Sequence, residues 1–346
     1  MLLPMPMNMA IFKILILLNI FLVFPKASSA QELPALSTQV NILTINEFQA
    51  LLERSKRWGE FGDQDEAGAV NLITPAKRVL AAKEVREGVA INLSNPMSKS
   101  ESGDFIVPLE HKTFVFPPLA GPTSPETAAG DVFTINYHGA LHSHMDGLAH
   151  FGWDGKLYNG FPFEPKPQGF VNVGLEHIAS TGIFTRGLLV DMPDLYGLKI
   201  LEPGTVITVD HLEAWEKALS ITVSSGDVLL LRTGRWVIAE KNKDFNPLQR
   251  TAGLHASVGL WLKTRGVAAI GSDAISDVVP GGVEGVFNPV HVVANYALGM
   301  PLFDHLQLEE LARVTKQRNR YTFLFTAAPL YIEGATGSPL TPFAHL

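Results

Sequence analysis

"HGALHSHMDGLAHF", residues 138–151, places four histidines and an aspartate within fourteen positions of a 346-residue chain that has 11 histidines in all. An even spread would put fewer than about one in such a window. The stretch leading into it, "DVFTINYH" at 131–138, alternates apolar and polar residues as a half-buried strand does. If that strand continues to Asp146, side chains two apart share a face, and His138, His142, His144 and Asp146 all project to one side. His150 follows four residues later, within reach of the same pocket. A single histidine of this kind reads best as a strand residue with satisfied ring nitrogens. Several imidazoles packed beside a carboxylate are costly to desolvate unless a divalent cation pairs them. The chain has no cysteine, so such a cation would be held by nitrogen and oxygen ligands, which suit Zn²⁺ or Mn²⁺.

Outward from this centre the pattern is α/β. Short β-rich runs appear at "RGLLVDMP", "GTVITVD", "GDVLLLRTG", "GVAAIGSD" and "YTFLFTAAPL", each bounded by Gly, Pro or Asp. Helical spacing is found in "TINEFQALLERSKRW" with Asn46 as its cap, and in "LITPAKRVLAAKEVREG", which Thr74 caps, Pro75 enters and Gly88 ends. "VDHLEAWEKALS", starting at Asp210, and "AGLHASVGLWLKTRG", ending at Gly266, give strand, helix, strand units over 205–273. No repeat and no Pro/Ser linker divides residues 46–346, so the expectation is a single α/β domain.

The first thirty residues read differently. Lys13 precedes an apolar run from Ile14 to Phe24, and small residues Ser28 and Ala30 follow, which is the layout of a secretory signal peptide over 1–30. Eleven uninterrupted apolar residues are too few to span roughly 30 Å of hydrocarbon. Residues 31–45 are expected to be a flexible leader. Cleavage would remove two of the 27 basic side chains and none of the 34 acidic ones, leaving a more acidic surface that argues against nucleic acid as a partner. An exported chain without disulfides fits a periplasm, with no membrane span after cleavage.

Secondary candidates follow from chemistry and position. Trp58, Phe61, Tyr158 and Trp236 could line a pocket for an aromatic group, although each reads more readily as core. Arg232 could meet a substrate carboxylate or a structural partner. Asp273 closes the apolar run "AAIGSD", where α/β sites form at the carboxyl ends of strands. The glycine-rich segment 278–289, "VVPGGVEGVFNP", has the composition of a substrate lid. No Gly-x-Ser-x-Gly, P-loop or dinucleotide fingerprint occurs, which sets aside serine-nucleophile and nucleotide chemistry.

"HSHMDGLAHF" resembles the signature of the metal-dependent cyclase-like hydrolases, the group containing bacterial kynurenine formamidase and isatin hydrolase, whose motif reads H-x-G-T-H-x-D-x-P-x-H. The resemblance extends through "WGEFGDQDEAGAVNLITPAKRVLAA", "DGKLYNG", "FNPVH" and "APLYIEGATGSPLTPFA", over nearly all the chain after residue 30. It implies a swivelling β/β/α fold, a homodimer and a small-molecule substrate. It implies that His144, Asp146 and His291 are metal ligands, with Asp146 able to bridge two ions, and that His150 is the acid/base. Asp304 falls where the family usually has glutamate. The motif's first histidine falls on Ala140, so His138 or His142 would take its place; Ser143 replaces threonine and Leu148 replaces proline. The function so implied is metal-dependent hydrolysis of a carbon–nitrogen bond in an N-formyl amide or lactam. The alternatives are a cyclase, dehydratase or lactonase using the same centre, and an exported metal- or solute-binding protein.

Overall fold

The run Val228–Arg232 is buried at every position, as a strand covered on both faces must be. Its side chains alternate between two apolar cores: Leu229 and Leu231 join one, Val228 and Leu230 the other. The computed structural model describes residues 32–99 and 108–346, and one compact unit spans Leu33–Leu346. The expected signal peptide lies outside the described residues. None of the described helices is long and apolar enough to cross a membrane.

Thirteen strands occur among the described residues: β1 Ala90–Asn92, β2 Glu110–Phe116, β3 Ala128–Thr134, β4 His144–Asp146, β5 Ile183–Asp191, β6 Val206–Ile207, β7 Val228–Arg232, β8 Gly253–Leu254, β9 Ala269–Ser272, β10 Leu302–Asp304, β11 Thr322–Ala327, β12 Gly337–Pro339 and β13 Phe343–His345. Nine form one mixed sheet in the order β1-β13-β11-β5-β7-β9-β10-β4-β12. Its centre, β5-β7-β9-β10, is parallel, and the helices Val209–Leu219 and Gly259–Arg265 cross between those strands. Leu212 and Leu262 of these helices enter the first core, while Leu311 and Val314 of helix Glu309–Arg318 enter the second with Phe323 and Phe325. This is the mixed α/β single domain that the sequence predicts.

Several local expectations change. The strand expected to run from Asp131 to Asp146 is broken: β3 ends at Thr134, residues 135–143 are irregular, and β4 begins at His144. The two pieces belong to different sheets, β3 pairing with β2 in an exposed hairpin and β4 lying between β10 and β12. The first helix, Ile45–Ser55, is capped by Thr44 rather than Asn46, because Thr44 and Glu47 form a reciprocal capping box. The second, Pro75–Ala82, is capped by Thr74 as expected but stops six residues short of Gly88. Helix Val209–Leu219 starts after Thr208, one residue before Asp210.

The leader expected to be flexible is instead tied to the body. Val206 donates to the Ser37 carbonyl, Tyr196 to that of Pro34, and His255 Nε2 lies 2.9 Å from the Asn41 carbonyl. The glycine-rich segment is joined to the leader, Leu43 donating to the Gly282 carbonyl and accepting from the Glu284 amide. The core governs stability: replacing fully buried Leu230 with alanine is expected to cost about 2–5 kcal/mol in chemical denaturation.

Candidate metal centre

Parallel strands whose carboxyl ends align leave a crevice outside the sheet, and here it is filled by chemistry. Asp304 ends β10. Because β4 runs antiparallel to β10, His144 sits directly opposite Asp304, and Asp146, two residues on, shares the His144 face. His291 comes from the short helix Pro289–His291, which continues into a buried π-helical turn, Val292–Leu298. His138 arrives on the irregular 135–143 segment, and Tyr137 beside it donates to the Gly337 carbonyl on β12.

These side chains form two groups whose ligand atoms lie within 4.8 Å of one another: His138, His144 and Asp146, and Asp146, His291 and Asp304. Asp146 belongs to both. His138 Nδ1 and His144 Nε2 lie 2.9 and 3.3 Å from its Oδ1, and His291 Nε2 lies 3.3 Å from its Oδ2. His291 Nε2 is also 3.1 Å from Asp304 Oδ2. Although Asp146 Oδ1 is close to His138 Nδ1, neither atom is aligned for a hydrogen bond. Atoms that crowd without bonding one another are placed to converge on a third, and this donor set of imidazoles and carboxylates fits a divalent cation.

The outer face of each imidazole is held. His144 Nδ1 meets its own chain at the His142 carbonyl, 2.8 Å away; His291 Nδ1 is 2.5 Å from Asp277 Oδ2; His138 Nε2 is 3.0 Å from Thr336 Oγ1. The carbonyl and the carboxylate can only accept, so they place a hydrogen on the outer nitrogen of His144 and His291 and turn the other nitrogen inward, while the Thr336 hydroxyl orients the His138 ring. Asp277 is itself held, accepting from the Val290 backbone.

Electrostatics follow from burial and proximity. Burial alone would raise the Asp146 carboxyl, but His150, His144 and His138 hold it well below the usual carboxylate range. Burial opposes charging of His144 and His291, yet Asp146 and Asp304 outweigh it and raise both, His291 well above its usual value. A proton therefore takes the place of positive charge at His291 Nε2 when no cation does. His150 behaves oppositely: burial pushes it down to about 4, against the attraction of Asp146, so it stays neutral through the physiological range. Its ring stacks on His138 at 3.8 Å, and its Nε2 is 3.7 Å from Asp146 Oδ2, outside hydrogen-bonding distance. His138 and His150 are each 24% exposed, whereas His144, Asp146, His291 and Asp304 are buried, so the centre opens on the His138 and His150 side.

The remaining expected site residues separate. His142 contributes its carbonyl to His144 and lies outside both ligand groups, because the break before β4 removes the alternation that would have aligned its ring. Of the two histidines that could replace the one missing at Ala140, His138 is the one whose ring nitrogen falls in a candidate ligand group. Trp58 donates to the Tyr296 carbonyl, Tyr158 donates to Asp65, and Phe61 sits half-buried in a turn; the two bonded rings serve packing. Arg232 is committed to Asp191 and Glu309. Asp273 is buried and accepts from the backbone of Thr233, Gly234 and Arg235, closing the turn after β7. Trp236 does line a cavity, of about 590 Å³, together with Ala140, Leu141 and Arg235.

Sequence reasoning missed Asp277, Thr336, Arg235 and His305. Asp277 lies fourteen positions from the histidine it orients, so no spacing rule connects them. Arg235 carried a signal, a cation just past a glycine turn at the end of an apolar strand.

A family model described as "Putative cyclase" matches residues 88–277. Among solved structures, a crystal structure of a novel cyclase is 30% identical, covering 85% of this chain and 99% of that one, with a TM-score of 0.74. Isatin hydrolase A from Ralstonia solanacearum is 21% identical over 77% of this chain and 93% of that one, at TM-score 0.53. An isatin hydrolase bound to the product analogue thioisatinate is 17% identical over 77% and 94%, at 0.54. These last two likenesses are of fold. No curated protein sequence matches the chain.

Two outcomes test the centre. Asp277→Asn is expected to weaken metal affinity by roughly 10- to 100-fold, measured by competition with a chromogenic chelator. Metal uptake near pH 7 is expected to release protons, since His291 must lose its Nε2 proton to become a ligand, and affinity should fall as pH is lowered. Calorimetric titration in two buffers of different protonation enthalpy measures that release.

Proposed function

Because the chain belongs to the cyclase family of metal-dependent hydrolases, we propose that it hydrolyses a carbon–nitrogen bond, in an N-formyl amide, a lactam or a related cyclic amide. The observation that carries the reading is Asp146, shared by two ligand groups with a neutral histidine beside it. The isatin hydrolases that share the fold suggest the bond type.

Zn²⁺ or Mn²⁺, as one or two ions, would be held by His138, His144, Asp146, His291 and Asp304. Bound there, it would polarise a carbonyl and bring the pKa of a water molecule towards ~7. His150 does the proton work. Being neutral, its Nε2 can accept a proton from the attacking water and return it to the leaving nitrogen, so that amide and water become acid and amine. The outer contacts of Asp277, Thr336 and the His142 carbonyl keep the ligand rings oriented while the substrate exchanges at the open His138 and His150 side.

The export of the chain to a periplasm and its assembly as a homodimer belong to the same proposal. They rest on the N-terminal segment and on the family resemblance. A second reading, cyclisation, dehydration or lactone opening at the same carbonyl-activating centre, is favoured by the novel cyclase at 30% identity.

The test is a panel of N-formyl amides, lactams, esters and lactones given to protein reconstituted with zinc or manganese. Metal-dependent release of free amine, abolished by chelator, is the expected result. His150→Ala should lower turnover by about 10²–10⁴-fold while metal content is retained. Turnover confined to lactones or hydroxy acids would move the assignment to the second reading. No turnover of any substrate by metal-loaded protein would leave a binding protein.

A further inference from the structure

Two polar side chains beside the metal centre have no part in the reading above. Arg235 opens the helix Arg235–Lys241, immediately after the turn that closes β7, and is only 4% exposed. Of the five N–H donors of its guanidinium, the structure uses Nη2, which donates to the Ala140 carbonyl at 2.8 Å; Nε and Nη1 meet no partner. Trp236 covers one face, its ring centre 3.8 Å from Cζ. His305 follows Asp304 directly, in a left-handed backbone conformation with φ 56°. It is fully buried with its ring centre 5.8 Å from that of His144, and neither ring nitrogen has a partner.

Nearby carboxylates do not supply what is missing. Asp273 and Asp304 both attract the Arg235 charge and so offset part of the cost of burying it. Their oxygens are nevertheless taken, those of Asp273 by the Thr233, Gly234 and Arg235 backbone, those of Asp304 by Ser276 and His291. A buried guanidinium with idle donors is costly, and such groups persist where something binds them.

Arg235 also lines the cavity of about 590 Å³, together with Ala140, Leu141 and Trp236. Ala140 and Leu141 belong to the segment between His138 and His144, so one wall of the cavity comes from the chain that links two of the candidate ligands. Glu240, Lys243 and Asp244 line it as well, so of its two cations Arg235 is the buried one.

We propose that Arg235 is the anion-recognition point of the substrate, and that the substrate is an amide bearing a carboxylate. The planar guanidinium fork matches a planar carboxylate, a fit that lysine cannot reproduce. Nη2 is held by the Ala140 carbonyl while Nε and Nη1 are buried without a partner, and the side chain that carries them is part of the cavity wall. That the anion is part of the substrate rests on the hydrolase reading; the binding site stands without it.

The test uses binding rather than turnover. Zinc-loaded protein is titrated calorimetrically with benzoate and with its neutral counterpart benzamide. Wild type is expected to prefer benzoate by about tenfold to a hundredfold, the range of a charge-assisted hydrogen bond. Arg235→Gln should lose that preference with zinc content and melting temperature retained, and Arg235→Lys should keep only part of it. If Arg235→Gln does not fold, the comparison rests on Arg235→Lys, in which an undiminished preference overturns the proposal. A benzoate preference that survives in Arg235→Gln would show that the carboxylate is held by the metal and overturn it too, as would wild type that binds both probes equally or neither. Arg235-dependent benzoate binding in a protein that hydrolyses no amide would defeat the hydrolase reading and leave this site standing.

Discussion

A carboxylate buried among imidazoles sets the terms for the rest of this structure. Asp146 is 1% exposed, and removing an ionised carboxylate from water is expensive unless opposite charge or donors surround it. Here three imidazoles point at it from three separate elements, and each is turned inward by a contact on its outer nitrogen. The compensation is incomplete without a cation, because Asp146 Oδ1 has close neighbours but no aligned hydrogen bond. The arrangement is a stable place for a doubly charged ion and a poor one for anything neutral.

The fold serves that constraint through the way β4 is inserted. Three residues long, β4 lies antiparallel between β10 and β12, and this brings His144 opposite Asp304 and Asp146 opposite Gly337. The absence of a side chain at Gly337 matters: a Cβ there would stand 2.3 Å from the Met145 carbonyl oxygen and 2.9 Å from His138 Cε1. Glycine lets β12 approach β4 closely enough for the neighbouring Thr336 to hold the His138 ring. The parallel core strands behind β4 are covered on both faces, which gives the centre a rigid back wall and leaves access from the His138 and His150 side.

The same region holds groups that weaken the fold locally. A guanidinium with idle donors, a histidine with neither nitrogen bonded and a non-glycine residue at positive φ all lie at the carboxyl ends of the central strands. Structural residues of the same kinds behave differently here. Arg232, three positions before Arg235, is fully engaged by Asp191 and Glu309, and Asp273 accepts every backbone donor of the turn beside it. The contrast between Arg232 and Arg235 separates a residue that holds the fold from one that is held ready for a ligand.

Local sequence determined a good deal by itself. The apolar runs became the core strands because continuous burial requires continuous hydrophobicity, Thr74 and Pro75 began a helix because backbone chemistry at a helix start is local, and the His/Asp cluster around Asp146 marked the centre because those side chains are costly to crowd without a cation. Tertiary structure decided which histidine joins. His138 and His142 are equivalent under a strand periodicity of two, and only the break at 135–143, made when β3 and β4 entered different sheets, sends one ring to Asp146 and uses the other residue's carbonyl as a support. Asp277 and Thr336 were out of reach of the sequence, since each acts on a partner brought close by packing between elements that no local rule relates, whereas Arg235 left only the local trace of a cation after a glycine turn.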